Sequence, residues 1–218
     1  MKTNFTLFFL FLPFLVLAQQ REWLWINPTP QGNSLQALAN PGGTDVLVAV
    51  GANGTIMRSM DFGENWSAVN SPTKEHLWSS HFLNSTTGYA VGTKGTILKT
   101  ETGGNSWTVL HKMEATLNTV HFVSEKIGFV GGGGHNATTN TGEHYLFKTE
   151  DGGATWTRVL HRQGSPLWRF NFADQDFGYA ITSFARDLIL TYDGGNTWVV
   201  KPLPQGYQVS DVVFTDKD

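Results

Sequence analysis

Asp61, Asp151 and Asp193 recur at one place in a repeated pattern that ends in Trp. Carboxylates at fixed spacing invite a reading as general acids, bases or nucleophiles. The copies read SMDFGENW (Ser59 to Trp66), TETGGNSW (Thr100 to Trp107), TEDGGATW (Thr149 to Trp156) and TYDGGNTW (Thr191 to Trp198). Glycosidic hydrolysis needs two carboxyl groups flanking one bond, whereas each copy supplies a single regularly placed acid. An Asp in this setting accepts hydrogen bonds from backbone N–H groups of its own turn. Thr102 holds that position in the second copy, where a hydroxyl does the same work more weakly. Gly63, Gly104, Gly153 and Gly195 provide positive φ where the chain reverses. Trp66, Trp107, Trp156 and Trp198 are then expected to carry an apolar body back under the next unit. The pattern therefore predicts a lock on a β-hairpin, opened by Ser59, Thr100, Thr149 or Thr191, and no catalytic residue.

Other chemistry-bearing groups are sparse. The stretch GGGGHNATTNTGEHY (Gly131 to Tyr145) holds His135, Glu143 and His144, but Glu143 and His144 are sequence neighbours that point to opposite faces of a strand. No H-E-x-x-H spacing exists, and no Gly-Lys-Ser/Thr follows the glycines to cradle a phosphate. The stretch is expected to be a flexible Gly-rich loop. No metal site and no cofactor are expected. Loops on the side opposite the repeated turns carry Lys74, Lys94, Lys112, Arg162 and Arg186, with Arg169 just inside a strand. Trp78 and Trp168 occupy the same position of two units beside those loops. Two readings stand: a basic and aromatic rim that docks an acidic peptide or a glycan, or solvated loop charge with Trp packing between units. His81 and His121 repeat at one strand position, which points to packing register.

The elements that must carry these residues are strands. The Trp-to-Trp spacings of 41, 49 and 42 residues mark one supersecondary unit stacked repeatedly. Each unit opens with an apolar-alternating strand from Leu to Phe: LWSSHF, LNTVHF and LWRFNF, which puts Phe82, Val120, Phe122, Phe170 and Phe172 on one packed face. A second strand (GYAVG, GFVGG, GYAIT), a third (TILKT, YLFKT, LILTY) and a fourth after the turn complete it. Four strands per period of this length predict an all-β chain folded as a β-propeller, with blades at about 35–68, 77–110, 117–160 and 167–201 and a fifth starting at 209. A β-sandwich does not need identical hairpins at a regular period, and a β-helix has shorter periods. Residues 23–27 align with the fourth strand of the last unit and are expected to close the ring. The fifth blade breaks off after one strand, so the chain is expected to be part of a larger propeller.

The repeat resembles the Asp-box, or bacterial neuraminidase repeat, S-x-D-x-G-x-x-W. The segment HFLNSTTGYAVGTKGTILKTETGGNSW (His81 to Trp107) is similar to the repeat of the photosystem II stability/assembly factor family, across about residues 23 to 218. That resemblance implies a β-propeller, and the family's photosystem role is not carried over with it. The neuraminidase side of it implies an arginine cluster and a Tyr nucleophile beside a carboxylate. Only Arg21 and Arg58 precede the first pattern, and Tyr89, Tyr145, Tyr179 and Tyr192 fall at repeat positions expected to be core.

Composition sets the remaining bounds. Lys2 followed by FTLFFLFLPFLVLA reads as an export signal over residues 1–18, leaving a domain of 19–218. The apolar run is short and interrupted by Pro, so no membrane span is expected. The chain has 0 Cys but 8 Trp and 15 Phe, so it must be held by burial alone. A formal charge of −3 gives no reason to expect nucleic acid as a partner. The expected function is a secreted, non-catalytic propeller that binds a protein or glycan, as an assembly/scaffold or surface-adhesion module. The alternative is a sialidase-like glycoside hydrolase whose site is completed beyond residue 218.

Overall fold

The computed structural model describes residues 32–136, 141–182, 187–204 and 209. The expected export signal, the ring-closing strand at 23–27, Arg186 and the continuation of a fifth blade past Val209 lie outside the described residues. Four antiparallel sheets of four strands each stand in chain order. Blade 1 is β1 (Leu35–Ala39), β2 (Leu47–Gly51), β3 (Ile56–Ser59) and β4 (Ser67–Ala68). Blade 2 is β5 (Leu77–Phe82), β6 (Gly88–Gly92), β7 (Ile97–Thr100) and β8 (Thr108–His111). Blade 3 is β9 (Thr116–Phe122), β10 (Gly128–Asn136), β11 (Thr141–Thr149) and β12 (Thr157–Gln163). Blade 4 is β13 (Leu167–Phe172), β14 (Gly178–Thr182), β15 (Asp187–Thr191) and β16 (Val199–Pro202). This is a β-propeller.

Each blade is a plain meander, so its first strand lies at one edge and its fourth at the other. The first strands β1, β5, β9 and β13 contact one another in series and form the inner wall. The second strands β6 and β10 are covered on both faces by neighbouring blades, which is why GYAVG of β6 is buried at every position. Three apolar cores fill the three junctions. Val48, Val50 and Ile56 of blade 1 meet Leu77 and Leu98 of blade 2. Tyr89, Val91 and Ile97 meet Leu117, Val120 and Val130. Phe129 and Leu146 meet Leu167, Phe170 and Ile189. A fully buried aliphatic side chain contributes roughly 1.5–3 kcal/mol, so these junctions hold the ring without disulfides.

The Trp of each turn packs the other way from the expectation. Trp107 of blade 2 lies in the core shared with blade 1, Trp156 of blade 3 in that shared with blade 2, and Trp198 of blade 4 in that shared with blade 3. Each indole is thus held against the preceding blade. The cause is the turn itself: the indole N–H donates back to the carbonyl of its own turn glycine, as from Trp107 Nε1 to Gly104 O at 3.1 Å. The ring cannot swing forward without breaking that bond.

The third blade also departs from the expectation. Gly131 to Tyr145 is no loose loop where it is described: β10 and β11 are nine-residue strands paired from Gly128↔Thr149 out to Asn136↔Thr141. Close packing explains the glycines. A Cβ on Gly133 would sit 2.1 Å from Glu143 O and 3.0 Å from Pro166 Cα.

One irregularity recurs in every blade. The register between first and second strands slips once, between Leu35 and Ala37, Leu77 and Ser79, Leu117 and Thr119, and Leu167 and Arg169. The extra residue is Gln36, Trp78, Asn118 or Trp168. A β-bulge of this kind re-aims a side chain. The opposite glycine in three blades allows the approach: a Cβ on Gly92 would lie 1.9 Å from His76 O, and one on Gly132 would lie 2.0 Å from Thr116 O.

Candidate functional site

The repeated turns use their polar groups internally. Ser59 Oγ donates to Asp61 Oδ1 at 2.7 Å and accepts from Gly63 N–H at 2.8 Å. Asp61 Oδ1 also accepts from Asn65 N–H at 2.9 Å. Thr149, Asp151, Gly153 and Thr155 repeat this, as do Thr191, Asp193, Gly195 and Thr197. In the second copy Thr102 Oγ1 accepts from Ser106 N–H at 2.9 Å and Thr100 Oγ1 from Gly104 N–H at 3.1 Å. Donors converging on each carboxylate hold Asp61, Asp151 and Asp193 at a pKa of about 2, led by the Asn65 N–H, the Thr155 hydroxyl and the Thr197 hydroxyl respectively. An acid so low is a poor proton donor near neutrality. Gly63, Gly104, Gly153 and Gly195 all have positive φ.

The turns also tie blades together. Arg58 Nε–H donates to Gly103 O at 2.9 Å, Tyr89 O–H to Gly152 O at 3.1 Å, and Lys148 Nζ to Asn196 Oδ1 at 2.7 Å. Each bond runs from one blade to the turn of the next.

One concave surface among the described residues is axial. A groove of about 720 Å³ is lined by the first strands of all four blades. Because of the bulges, two consecutive residues of each strand line it at the same level: Gln36 and Ala37, Trp78 and Ser79, Asn118 and Thr119, Trp168 and Arg169. These pairs lie near the rim opposite the repeated turns. Trp168 is 45% exposed, and Arg169 beside it is exposed. The Trp78 ring stacks on His76 at 6.0 Å, and its buried indole N–H has no acceptor among the described residues. Asn118 Nδ2 donates to Leu167 O at 2.9 Å, tying blade 3 to blade 4 across the inner wall. Deeper in, His81 and His121 line the same groove. His81 Nδ1 accepts from Phe122 N–H at 3.3 Å, and the His121 ring lies parallel to Phe172 at 6.0 Å. Burial lowers both imidazoles to a pKa of about 4, with His81 adding to the effect at His121.

The residues expected on the basic rim divide. Trp78, Trp168 and Arg169 come together in the groove. Lys74, Lys112 and Arg162 are exposed but do not line it. Lys94 is neutralised: its Nζ lies 2.9 Å from Glu75 Oε1, and Thr93 holds the other oxygen at 2.8 Å. The tyrosines divide as well. Tyr89 and Tyr179 are buried, but Tyr192 is 55% exposed and stacks on Phe177, because it holds the second position of its turn, which is exposed in the other copies too, at Met60, Glu101 and Glu150. Tyr145 is half-buried on β11, where its hydroxyl donates to Glu143 and its ring stacks on His161 of β12 at 4.9 Å. Glu143 and His144 do diverge: His144 Nδ1 lies 3.1 Å from Ser165 O on the other face. No group of three metal-ligating side chains occurs among the described residues. The groove positions Gln36, Ser79, His81, Asn118, His121 and Asn171 were not singled out as binding residues, although their polarity within Leu-to-Phe strands marks a wetted inner face.

Comparison with known proteins places this geometry. The profile of the family described as Photosynthesis system II assembly factor YCF48 matches residues 58–167, half of the chain. The chain belongs to this family. Its structural relatives include YCF48 bound to a D1 peptide (TM-score 0.59, 16% identity, covering 79% of this chain and 56% of that one). YCF48 from Cyanidioschyzon merolae is also similar (TM-score 0.63, 14% identity, covering 84% and 61%). So is an ancestral GH74 enzyme (TM-score 0.63, 16% identity, covering 79% and 24%). The chain therefore spans little more than half the length of these YCF48 proteins. At such identities the likeness is one of fold. No curated protein matches the sequence. Among the described residues no helix is long and apolar enough to cross a membrane.

Proposed function

We propose that this YCF48-family propeller is a non-catalytic binding module that docks a segment of a partner protein in its axial groove. One observation carries the reading: the bulge in β13 turns Trp168 and Arg169 together into the groove mouth, leaving the indole 45% exposed. A rigid aromatic beside a guanidinium suits a peptide with an acidic or aromatic side chain. The relative bound to a D1 peptide supports a polypeptide over a glycan. The fold likeness to a GH74 enzyme does not supply paired acids here, since the repeated ones are held in their turns. Export of the chain by residues 1–18 belongs to the same proposal, and sequencing the N-terminus of the mature protein tests it.

The test of binding is selection of short peptides from a displayed library on the protein, followed by affinity measurement on Trp168→Ala and Arg169→Ala. Loss of about tenfold or more in affinity with an unchanged melting temperature is the expected result. Raised salt weakens binding by screening the cation. Equal affinity for both variants, or turnover of a fluorogenic glycoside, contradicts the reading.

A further inference from the structure

A second surface lies on the outside of the ring, between blades 1 and 2, and it begins with a break in the repeat. The residue before the first hydroxyl of the turn is cationic in three blades: Arg58, Lys99 and Lys148. Two residues further on, blades 2 and 3 carry a Glu that answers it. Lys99 Nζ lies 2.7 Å from Glu101, and Lys148 Nζ lies 2.8 Å from Glu150. Blade 1 has Met60 at that place. Among the described residues Arg58 forms no ion pair, and its hydrogen bond is the one from Nε to Gly103 O. Asp61 lines the same crevice, but both its oxygens accept bonds inside their own turn.

The space around Arg58 is open. The crevice holds about 690 Å³, against about 220 Å³ for the equivalent crevice beside Lys148, where Glu150 and a long fourth strand fill the room. In blade 1 the fourth strand is only Ser67–Ala68. One apolar side chain lines the opening: Met60, 69% exposed.

We propose that this crevice is a second docking site, for an extended acidic segment of a partner polypeptide. An Asp or Glu side chain pairs with Arg58 where blades 2 and 3 use their own Glu, and an adjacent apolar residue covers Met60. The argument is one of charge complementarity: a guanidinium whose usual internal carboxylate is missing, beside exposed apolar surface that inorganic anions leave uncovered.

The protein is labelled with ¹³C at methionine methyls and titrated with a pool of short peptides holding Asp between Leu and Phe, with the Asn counterparts as control. Saturable movement of the Met60 methyl by Asp peptides, and at least tenfold weaker response to Asn peptides, is expected. Anisotropy of the tightest fluorescein-labelled peptide then reads the variants. Met60→Glu restores the pairing seen in blades 2 and 3 and weakens binding at least tenfold with the melting temperature maintained. Arg58→Gln does the same. A Met60 methyl unmoved by every Asp peptide overturns the proposal. So does equal movement with inorganic phosphate alone, or undiminished binding to Met60→Glu. Trp168→Ala leaves this binding intact, so failure here and failure of the axial groove are read separately.

Discussion

The imidazole rings of His81 and His121 lie 4.6 Å apart, centroid to centroid, across the junction between blades 2 and 3. Both are neutral in the fold, with pKa values lowered to about 4 by burial. The equivalent residue in blade 4 is Asn171, so the position accepts a neutral polar side chain.

This pair gives the protein a mild-acid sensitivity. An unfolded His takes up its proton near pH 6.5, while these two resist until about pH 4. The unfolded chain therefore binds more protons in that window, and stability falls as pH drops through it. Full stability is expected above about pH 6.5. The double variant His81→Asn, His121→Asn is expected to flatten the loss between those limits. Urea midpoints measured at several pH values check this, and identical profiles for variant and wild type would contradict it.

A second acid step comes from the turns. Asp61, Asp151 and Asp193 sit at about 2 in the fold, against about 3.9 when unfolded. Their contribution is present above the unfolded value and is lost as pH falls toward 2. Asp151→Thr, which copies the second turn and its Thr102, is expected to lower the melting temperature at neutral pH and to lose less of it on acidification. Thermal melts across that range decide the matter.

Trp107→Ala is expected to destabilise by about 3–5 kcal/mol, the scale for truncating a large core aromatic. The indole is 6% exposed and packs with Val48 and Val50 of blade 1. Loosening should therefore appear first at the junction of blades 1 and 2. Hydrogen exchange localises it: faster exchange in β2 and β6 is expected, and loss confined to blade 3 would contradict the backward packing.

Phe62→Gly is expected to stabilise by roughly 1 kcal/mol, because the left-handed conformation penalises a side chain by about that much. A melting temperature that falls instead would show that the Phe62 ring contributes packing which outweighs its strain.

The blades were legible because their determinants are local. Each turn carries its own hydroxyl, acid, glycine and indole, and the Leu-to-Phe strands alternate on a period of two. What the repeat could not show was direction: whether Trp107 leans on blade 1 or blade 3 depends on the bond from its indole to Gly104 O. The bulges were equally silent. Gly51, Gly92 and Gly132 were their trace, each standing where a Cβ would strike the backbone at the start of the blade's first strand, but blade 4 bulges with Thr182 in that place. Consequently Trp168 and Arg169 could be singled out by type, yet their shared aim into the groove could not. The pairing of Lys94 with Glu75 was not legible, because Glu75 comes from the loop before β5, a contact no strand period encodes. Within blade 3 the stretch Gly131 to Tyr145 read as a loop because glycines seldom extend a strand, whereas here Gly133 admits Pro166 and Gly131 the Leu167 side chain.

The central claim is that the bulged pair Trp168–Arg169 forms a polypeptide-binding mouth. Its most direct measurement is calorimetric titration of the best library-selected peptide into wild type and Trp168→Ala, with melting temperatures taken on the same samples. The account predicts an affinity lower by about tenfold or more for the variant, at an unchanged melting temperature. Equal affinities for the two proteins would contradict it.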